Sequence, residues 1–180
     1  MIILIFASDL RGIIGKNDKL PWPPLRGELK RFKDTTIGNT VVMGRNTFQT
    51  LPNGPLTGRR NIILTKKITF QDRWKSFKFN VKNIFSDTRL EFKTSVNGIL
   101  YEYHYNQFGP NMFIIGGASI YRQFEEHCEK MIWTQVKEFY EGDTMFVPSQ
   151  YTWQNVSEED FPEYKILIFK KRCGVFTNRK

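Results

Sequence analysis

Six short apolar runs, each closed by turn residues, limit what this chain can become: "IILIFA" at 2–7, "TVVMG" at 40–44, "NIILT" at 61–65, "MFIIGG" at 112–117, "KMIWTQV" at 130–136 and "KILIFK" at 165–170. Such runs are too short for core helices and alternate too little for strands with one wet face, so they read as strands buried on both faces. Between several of them lie segments with helical spacing, which makes the chain α/β with a mostly parallel sheet covered on both sides. Its 180 residues suit one domain, 1–180, with a core large enough to enclose a pocket.

The region of about 71–93 reads as an insertion rather than a second domain. "FKFNVKNIF" and "RLEFK" each alternate apolar with polar residues, which predicts a half-exposed hairpin. "TSVNGILYEYHY" from Thr94 then reads as a helix behind a Thr/Ser cap.

Twenty-seven Lys+Arg against eighteen Asp+Glu leave a formal net charge of +9, which favours anionic partners. The basic end "KKRCGVFTNRK" reads as a solvated tail or strand edge rather than a nucleic-acid arm. "MIILIFAS" is short and is followed by Asp9 and Arg11, unlike a signal peptide or membrane span. Cys128 and Cys173 have no metal-site or disulfide-framework spacing. A reducing cytoplasm, no membrane, no nucleic acid and no metal are expected.

In "LPWPPLRGELKRF" the prolines forbid a helix before Pro24, and a helix is predicted from about Leu25 to Thr35. At 100° per residue Leu25, Leu29 and Phe32 cluster, and Glu28 falls about 40° from Phe32, at the edge of the buried face. Two readings stay open: a rim carboxylate paired with a neighbouring cation, or a ligand-binding acid with a raised pKa. Two junctions, "VVMGRNTF" and "FIIGGASIY", run from strand through glycine into a helix N-terminus, an arrangement suited to phosphate. Neither is a GxGxxG fingerprint or a GxxxxGK[ST] loop, so an ordinary Rossmann or P-loop assignment fails.

Taken in order, "GIIGKNDKLPWPPLRGELKRFK", "TVVMGRNTFQTLP", "LTGRRNIILT", "MFIIGGASIYRQF" and "EGDTMF" resemble the dihydrofolate reductases. The resemblance implies a central, mostly parallel eight-stranded sheet with an antiparallel C-terminal strand, flanked by about four helices. It implies hydride transfer from NADPH to C6 of 7,8-dihydrofolate with protonation at N5, in a cytoplasmic monomer. The implied catalytic set is Glu28, Trp22 and Thr134, with Ile5, Glu28, Leu29, Phe32, Leu51, Arg59, Ile115 and Thr134 holding the substrate. Leu29, Phe32 and Ile115 are candidate apolar walls for Glu28, and Arg59 is the expected grip on the substrate carboxylate, with Arg60 beside it.

For NADPH the resemblance implies Ala7, Ile14, Gly15 and Leu20 at the nicotinamide and its closing loop, and Gly44, Arg45, Asn46 and Thr47 at the first phosphate junction. Leu64, Thr65 and Lys66 are expected near the 2′-phosphate. Ile115, Gly116, Gly117, Ala118, Ser119, Ile120 and Tyr121 form the second junction, with a cis Gly116–Gly117 bond. The stretch 153–164 is too short for the family's long loop between the last two strands. The alternatives are a reductase of another pterin or pyrimidine, and a basic, non-catalytic binding or structural protein that kept the fold.

Overall fold

The computed structural model describes residues 1–84, 86–105, 110–150 and 152–172. Cys173 and most of the basic tail lie outside that range.

The strands are β1 (Ile2–Ser8), β2 (Ile13–Gly15), β3 (Thr40–Gly44), β4 (Arg60–Leu64), β5 (Arg89–Lys93), β6 (Met112–Gly116), β7 (Lys130–Val136), β8 (Thr144–Met145), β9 (Trp153–Asp160) and β10 (Tyr164–Lys171). The helices are α1 (Glu28–Thr36), α2 (Arg45–Gln49), α3 (Phe70–Lys82), α4 (Val96–His104) and α5 (Ala118–Phe124), with a short 3-10 turn at Glu125–His127. Among the described residues that is five helices, one more than the sequence suggests.

Eight strands form one sheet in the order β5-β4-β3-β6-β1-β7-β10-β9. Only β10 runs against the rest: it is antiparallel to both β7 and β9, while the other neighbours pair in parallel. The apolar runs are buried as their composition requires, with Leu4, Val42, Ile62 and Ile114 on one face and Val41, Met43 and Ile63 on the other all at 0% exposure.

β9 had no apolar run to announce it. It lies at the sheet edge with most of its residues exposed, and Glu158, Glu159 and Asp160 pair with Lys165, Arg31 and Lys137. Charges along an edge discourage pairing with another chain. β9 and β10 are joined by Phe161, Pro162 and Glu163 alone, so 153–164 is strand and tight turn.

The predicted hairpin at 77–92 is not present. "RLEFK" is a strand, but it pairs in parallel with β4, and "FKFNVK" belongs to α3. The helix is started by a capping box: the Thr69 hydroxyl accepts from Asp72 N–H while the Asp72 carboxylate accepts from Thr69 N–H. Its inward face is largely polar. Ser76 and Asn80 donate to the Leu90 carbonyl, and Asn80 accepts from Leu90 N–H, so α3 docks along β5 partly by hydrogen bonds. Phe70, Trp74, Phe77, Val81 and Ile84 point outward at 50–81% exposure. Local alternation imitated a strand because most apolar residues of this helix point outward, and of them Phe79 packs against the core cluster.

Residues 9–24 connect β1 to α1 through a tight turn in which Lys16 and Lys19 exchange both backbone hydrogen bonds across Asn17 and Asp18. Both central residues have positive φ, 49° and 60°, as the primed hairpin turns demand, and Asn and Asp tolerate it best after glycine. The root of the loop is tied by Asp9, fully buried, which accepts from the backbone N–H groups of Arg11, Ile13 and Tyr140. Further along, β2 pairs with β8, and Asp143 accepts from Asn17 N–H at 2.7 Å. Contacts that brace this loop therefore come from residues 140–145.

Candidate active site

α1 begins three residues later than predicted because Gly27 takes φ 83°, outside the right-handed helical region. Leu25 is thus in the turn before the helix, where it packs with Trp22, Val136, Tyr164 and Ile166. With Leu25 off the helix, its inward face is not the one centred on Leu25, Leu29 and Phe32. The inward row is Glu28, Phe32 and Thr36, spaced four residues apart, and Leu29 is 60% exposed. Leu29 is therefore no wall of the acid.

At the first end of that row the Thr134 hydroxyl, buried on β7, donates to Glu28 Oε1 at 3.4 Å. Thr134 stands beside Ala7 of β1 in register. Burial pushes the Glu28 carboxyl above its ordinary value; the Thr134 bond only partly opposes this, and no cation among the described residues contributes. The rim reading, a glutamate paired with a lysine or arginine, does not hold.

At the other end Arg59 is 5% exposed. Its Nη1 donates to Thr36 Oγ1 at 2.9 Å and its Nε to the Thr57 carbonyl at 3.1 Å. No carboxylate among the described residues answers its charge, and burial lowers its pKa. Arg60, the alternative in register, is instead spent on Glu91 through two bonds of 2.7 and 2.8 Å. Eight helical rises separate Glu28 from Thr36, about 12 Å. Ile5, Phe32, Leu51 and Ile115 belong to one apolar cluster along that span.

The two strand-glycine-helix junctions lie side by side, because β3 and β6 are neighbours and Met43 pairs with Gly116. The N-termini of α2 and α5 therefore open at the same edge of the sheet, beyond the carboxyl ends of its parallel strands, where ligands of open α/β sheets bind. The Gly116–Gly117 bond is cis. Gly116 has φ 109°, and a Cβ there would meet the Tyr121 hydroxyl at 2.6 Å, so only glycine fits. Tyr121 is buried beneath it and donates to the Ile5 carbonyl at 3.3 Å; burial, then the charge of Glu28, pushes its phenol up. A Cβ on Gly44 would press on Ile120 at 3.1 Å, so the first junction too has little room for a side chain at its glycine.

Asn46, Ser119 and Lys66 are exposed at this rim, while Leu64 and Ile120 are buried beneath it and Thr65 and Ala118 are partly covered. Ile14 and Gly15 are partly covered on β2, Leu20 is 52% exposed on the loop, and Trp22 is buried edge-on to Tyr140.

Arg45 departs from expectation. It makes four hydrogen bonds: Nη1 and Nη2 to the two Asp72 oxygens at 2.8 Å each, Nη2 to the Lys67 carbonyl at 3.1 Å, and Nε to Thr65 Oγ1 at 3.1 Å. Sequence reasoning missed Asp72 and Thr36. The signal for Asp72 was present in "TFQD", a capping box of the S/T-x-x-E/D kind, but Thr36 carried no local signal.

The family model for dihydrofolate reductase matches residues 1–170. The chain belongs to the dihydrofolate reductase family. It is 35% identical over 170 residues to the dihydrofolate reductase of Lactococcus lactis, covering 94% of this chain and 86% of that one. It is 36% identical over 142 residues to the type 8 dihydrofolate reductase of Escherichia coli, covering 78% and 76%. The solved dihydrofolate reductase of Enterococcus faecalis, complexed with NADP(H) and RAB-propyl, superposes with a TM-score of 0.77 at 28% identity, covering 96% of each chain. The family is one of NADPH-dependent oxidoreductases, and bare glycine junctions, two helix N-termini and an exposed lysine at their rim suit a phosphate-rich dinucleotide. Among the described residues no group of His, Cys, Asp and Glu could hold a metal, and no helix is long and apolar enough to cross a membrane.

Proposed function

We infer that this chain reduces 7,8-dihydrofolate to 5,6,7,8-tetrahydrofolate at the expense of NADPH. The observation that carries the reading is the row along α1: an acid without a cation among the described residues at one end, an apolar span of about 12 Å, and a buried arginine without a carboxylate among those residues at the other. A ligand with a hydrogen-bonding ring, an aromatic middle and a carboxylate satisfies all three at once.

In this reading Glu28, backed by Thr134, holds the amino group and ring nitrogen of the pterin. Phe32, Leu51, Ile5 and Ile115 enclose the ring and the aminobenzoate, and Arg59 takes the α-carboxylate with its fork, a geometry suited to two parallel bonds. When bound, NADPH supplies the hydride for C6. Glu28 orients the pterin and raises the local proton affinity so that N5 is protonated, and its elevated pKa suits it to proton work near neutrality. Residues 9–24, carrying Ile14, Gly15, Leu20 and Trp22, exclude bulk water from the nicotinamide. Gly44, Asn46, Thr47, Gly117, Ala118 and Ser119 take the phosphates through backbone and hydroxyl groups, and Thr65 and Lys66 attend the 2′-phosphate. The reading takes the chain as a single domain acting as a cytoplasmic monomer.

The test follows NADPH absorbance on adding dihydrofolate, for the wild type and for Glu28→Gln. The wild type turns over and the variant loses about two to three orders of magnitude at neutral pH, recovering part of it in acid, where N5 is protonated in solution. A wild type without turnover contradicts the activity. A fully active variant contradicts the role of Glu28.

A further inference from the structure

The inserted helix α3 sends one side chain, Asp72, back toward the cofactor edge of the sheet. That carboxylate is nearly buried, and it lies end-on against Arg45, the cation at the first phosphate junction. An arginine has two edges that can grip an oxyanion through paired N–H groups. On Arg45 both are committed: Nη1 and Nη2 to Asp72, Nε and Nη2 to Thr65 Oγ1 and the Lys67 carbonyl. The positive charge at this point is neutralised, and an incoming phosphate meets a fixed carboxylate behind it. Asp72 stays ionised well below neutrality, because the Arg45 bonds hold its carboxyl far below the ordinary range.

Resting on the cofactor reading above, we propose that Asp72 is a specificity-determining positioning residue of the cofactor site: by occupying Arg45 it reduces the advantage that a 2′-phosphate gives NADPH over NADH. The inserted helix thereby joins the binding site through one carboxylate. The exposed Lys66 and Lys67, at the carboxyl end of β4, carry the remaining positive charge for the 2′-phosphate.

The test measures equilibrium binding of NADP⁺ and of NAD⁺ by calorimetry, with no substrate present, for the wild type, Asp72→Asn and Thr69→Ala. Asp72→Asn removes the charge and replaces one of the two acceptors facing Arg45 with an amide N–H group, so the end-on pair is broken. Its affinity for NADP⁺ rises about tenfold, the scale of one charge-assisted pair, while that for NAD⁺ changes less than about twofold. Thr69→Ala breaks the capping box and loosens the start of α3 but leaves the Asp72–Arg45 pair, so its ratio of NADP⁺ to NAD⁺ affinity stays at the wild-type value. An unchanged or lower ratio in Asp72→Asn overturns the proposal, the lower one because Asp72 would then be holding Arg45 ready for phosphate. An equal rise in Thr69→Ala also overturns it, since the effect would then come from the helix and not the charge. A wild type that bound neither nucleotide would overturn the cofactor reading, and this proposal with it.

Discussion

Two helices each turn a carboxylate toward the sheet, and the protein treats the two acids in opposite ways. Glu28 opens α1 beside the apolar cluster, with a single hydroxyl for company, and burial raises its pKa. Asp72 lies in the first turn of α3 and accepts from Nη1 and Nη2 of Arg45, from Thr69 N–H and from the Thr69 hydroxyl, which lower its pKa. An acid left without a cation in a covered place costs stability and is available to a ligand. An acid that accepts four hydrogen bonds, two of them from a cation, holds elements together. The same contrast divides the arginines: Arg60 is paired with Glu91, while Arg59 is buried without an acid among the described residues.

The largest expected effect is that of Glu28→Gln on turnover, and it should be joined by a gain in stability. The folded-state pKa of Glu28 lies above its unfolded value, so the native state binds this proton more tightly and loses relative stability as pH rises through that interval. Glutamine escapes the cost. Urea unfolding should find the variant more stable than wild type at pH 7, with the difference shrinking as pH falls through that interval and gone below the unfolded pKa of about 4.3. A variant less stable at pH 7 would mean that Glu28 has a charged partner after all.

Next is Arg59→Met, which removes the proposed carboxylate grip. KM for dihydrofolate should rise about ten- to a hundredfold with kcat little changed, the cost of one or two charge-assisted bonds. A fall in kcat at constant KM would place Arg59 outside substrate binding. Asp72→Ala should lose about 2 kcal/mol of stability at pH 7, from a helix cap and a partly exposed ion pair. Its sign with pH is opposite to that of Glu28. A depressed pKa gives stability that is full above the unfolded value of about 3.9 and is lost as pH falls below it, so wild type and Asp72→Ala converge in acid. Smallest is Trp74→Gln on the outward face of α3, expected within about 0.5 kcal/mol of wild type in thermal unfolding. A large loss there would show that the exposed aromatic row is packed in solution.

How much of this was legible beforehand follows from where burial is set by local sequence. The apolar runs of β1, β3, β6 and β7 announce themselves because parallel strands are covered on both faces. The glycine junctions were equally readable. α1 was placed three residues early, since nothing in the spacing says that Gly27 adopts a positive φ. Leu29 is on the surface, since the inward row is Glu28, Phe32 and Thr36 without Leu25. α3 was misread because its inward residues, Asp72, Ser76 and Asn80, find partners only in the folded chain, on Arg45 and on β5. β9 was missed because an edge strand of acids has no apolar periodicity. The Glu28–Thr134 and Arg59–Thr36 contacts span 106 and 23 residues, and no local pattern encodes them.

The most direct test of the contrast is a carbon-13 carboxyl titration by NMR with Glu28 and Asp72 assigned through Glu28→Gln and Asp72→Asn. Glu28 is expected to titrate above the ordinary glutamate value of about 4.3 and Asp72 below the ordinary aspartate value of about 3.9. A Glu28 carboxyl that titrates at or below its ordinary value would mean that the acid is paired or solvated, and would contradict its assignment as the working group of the site.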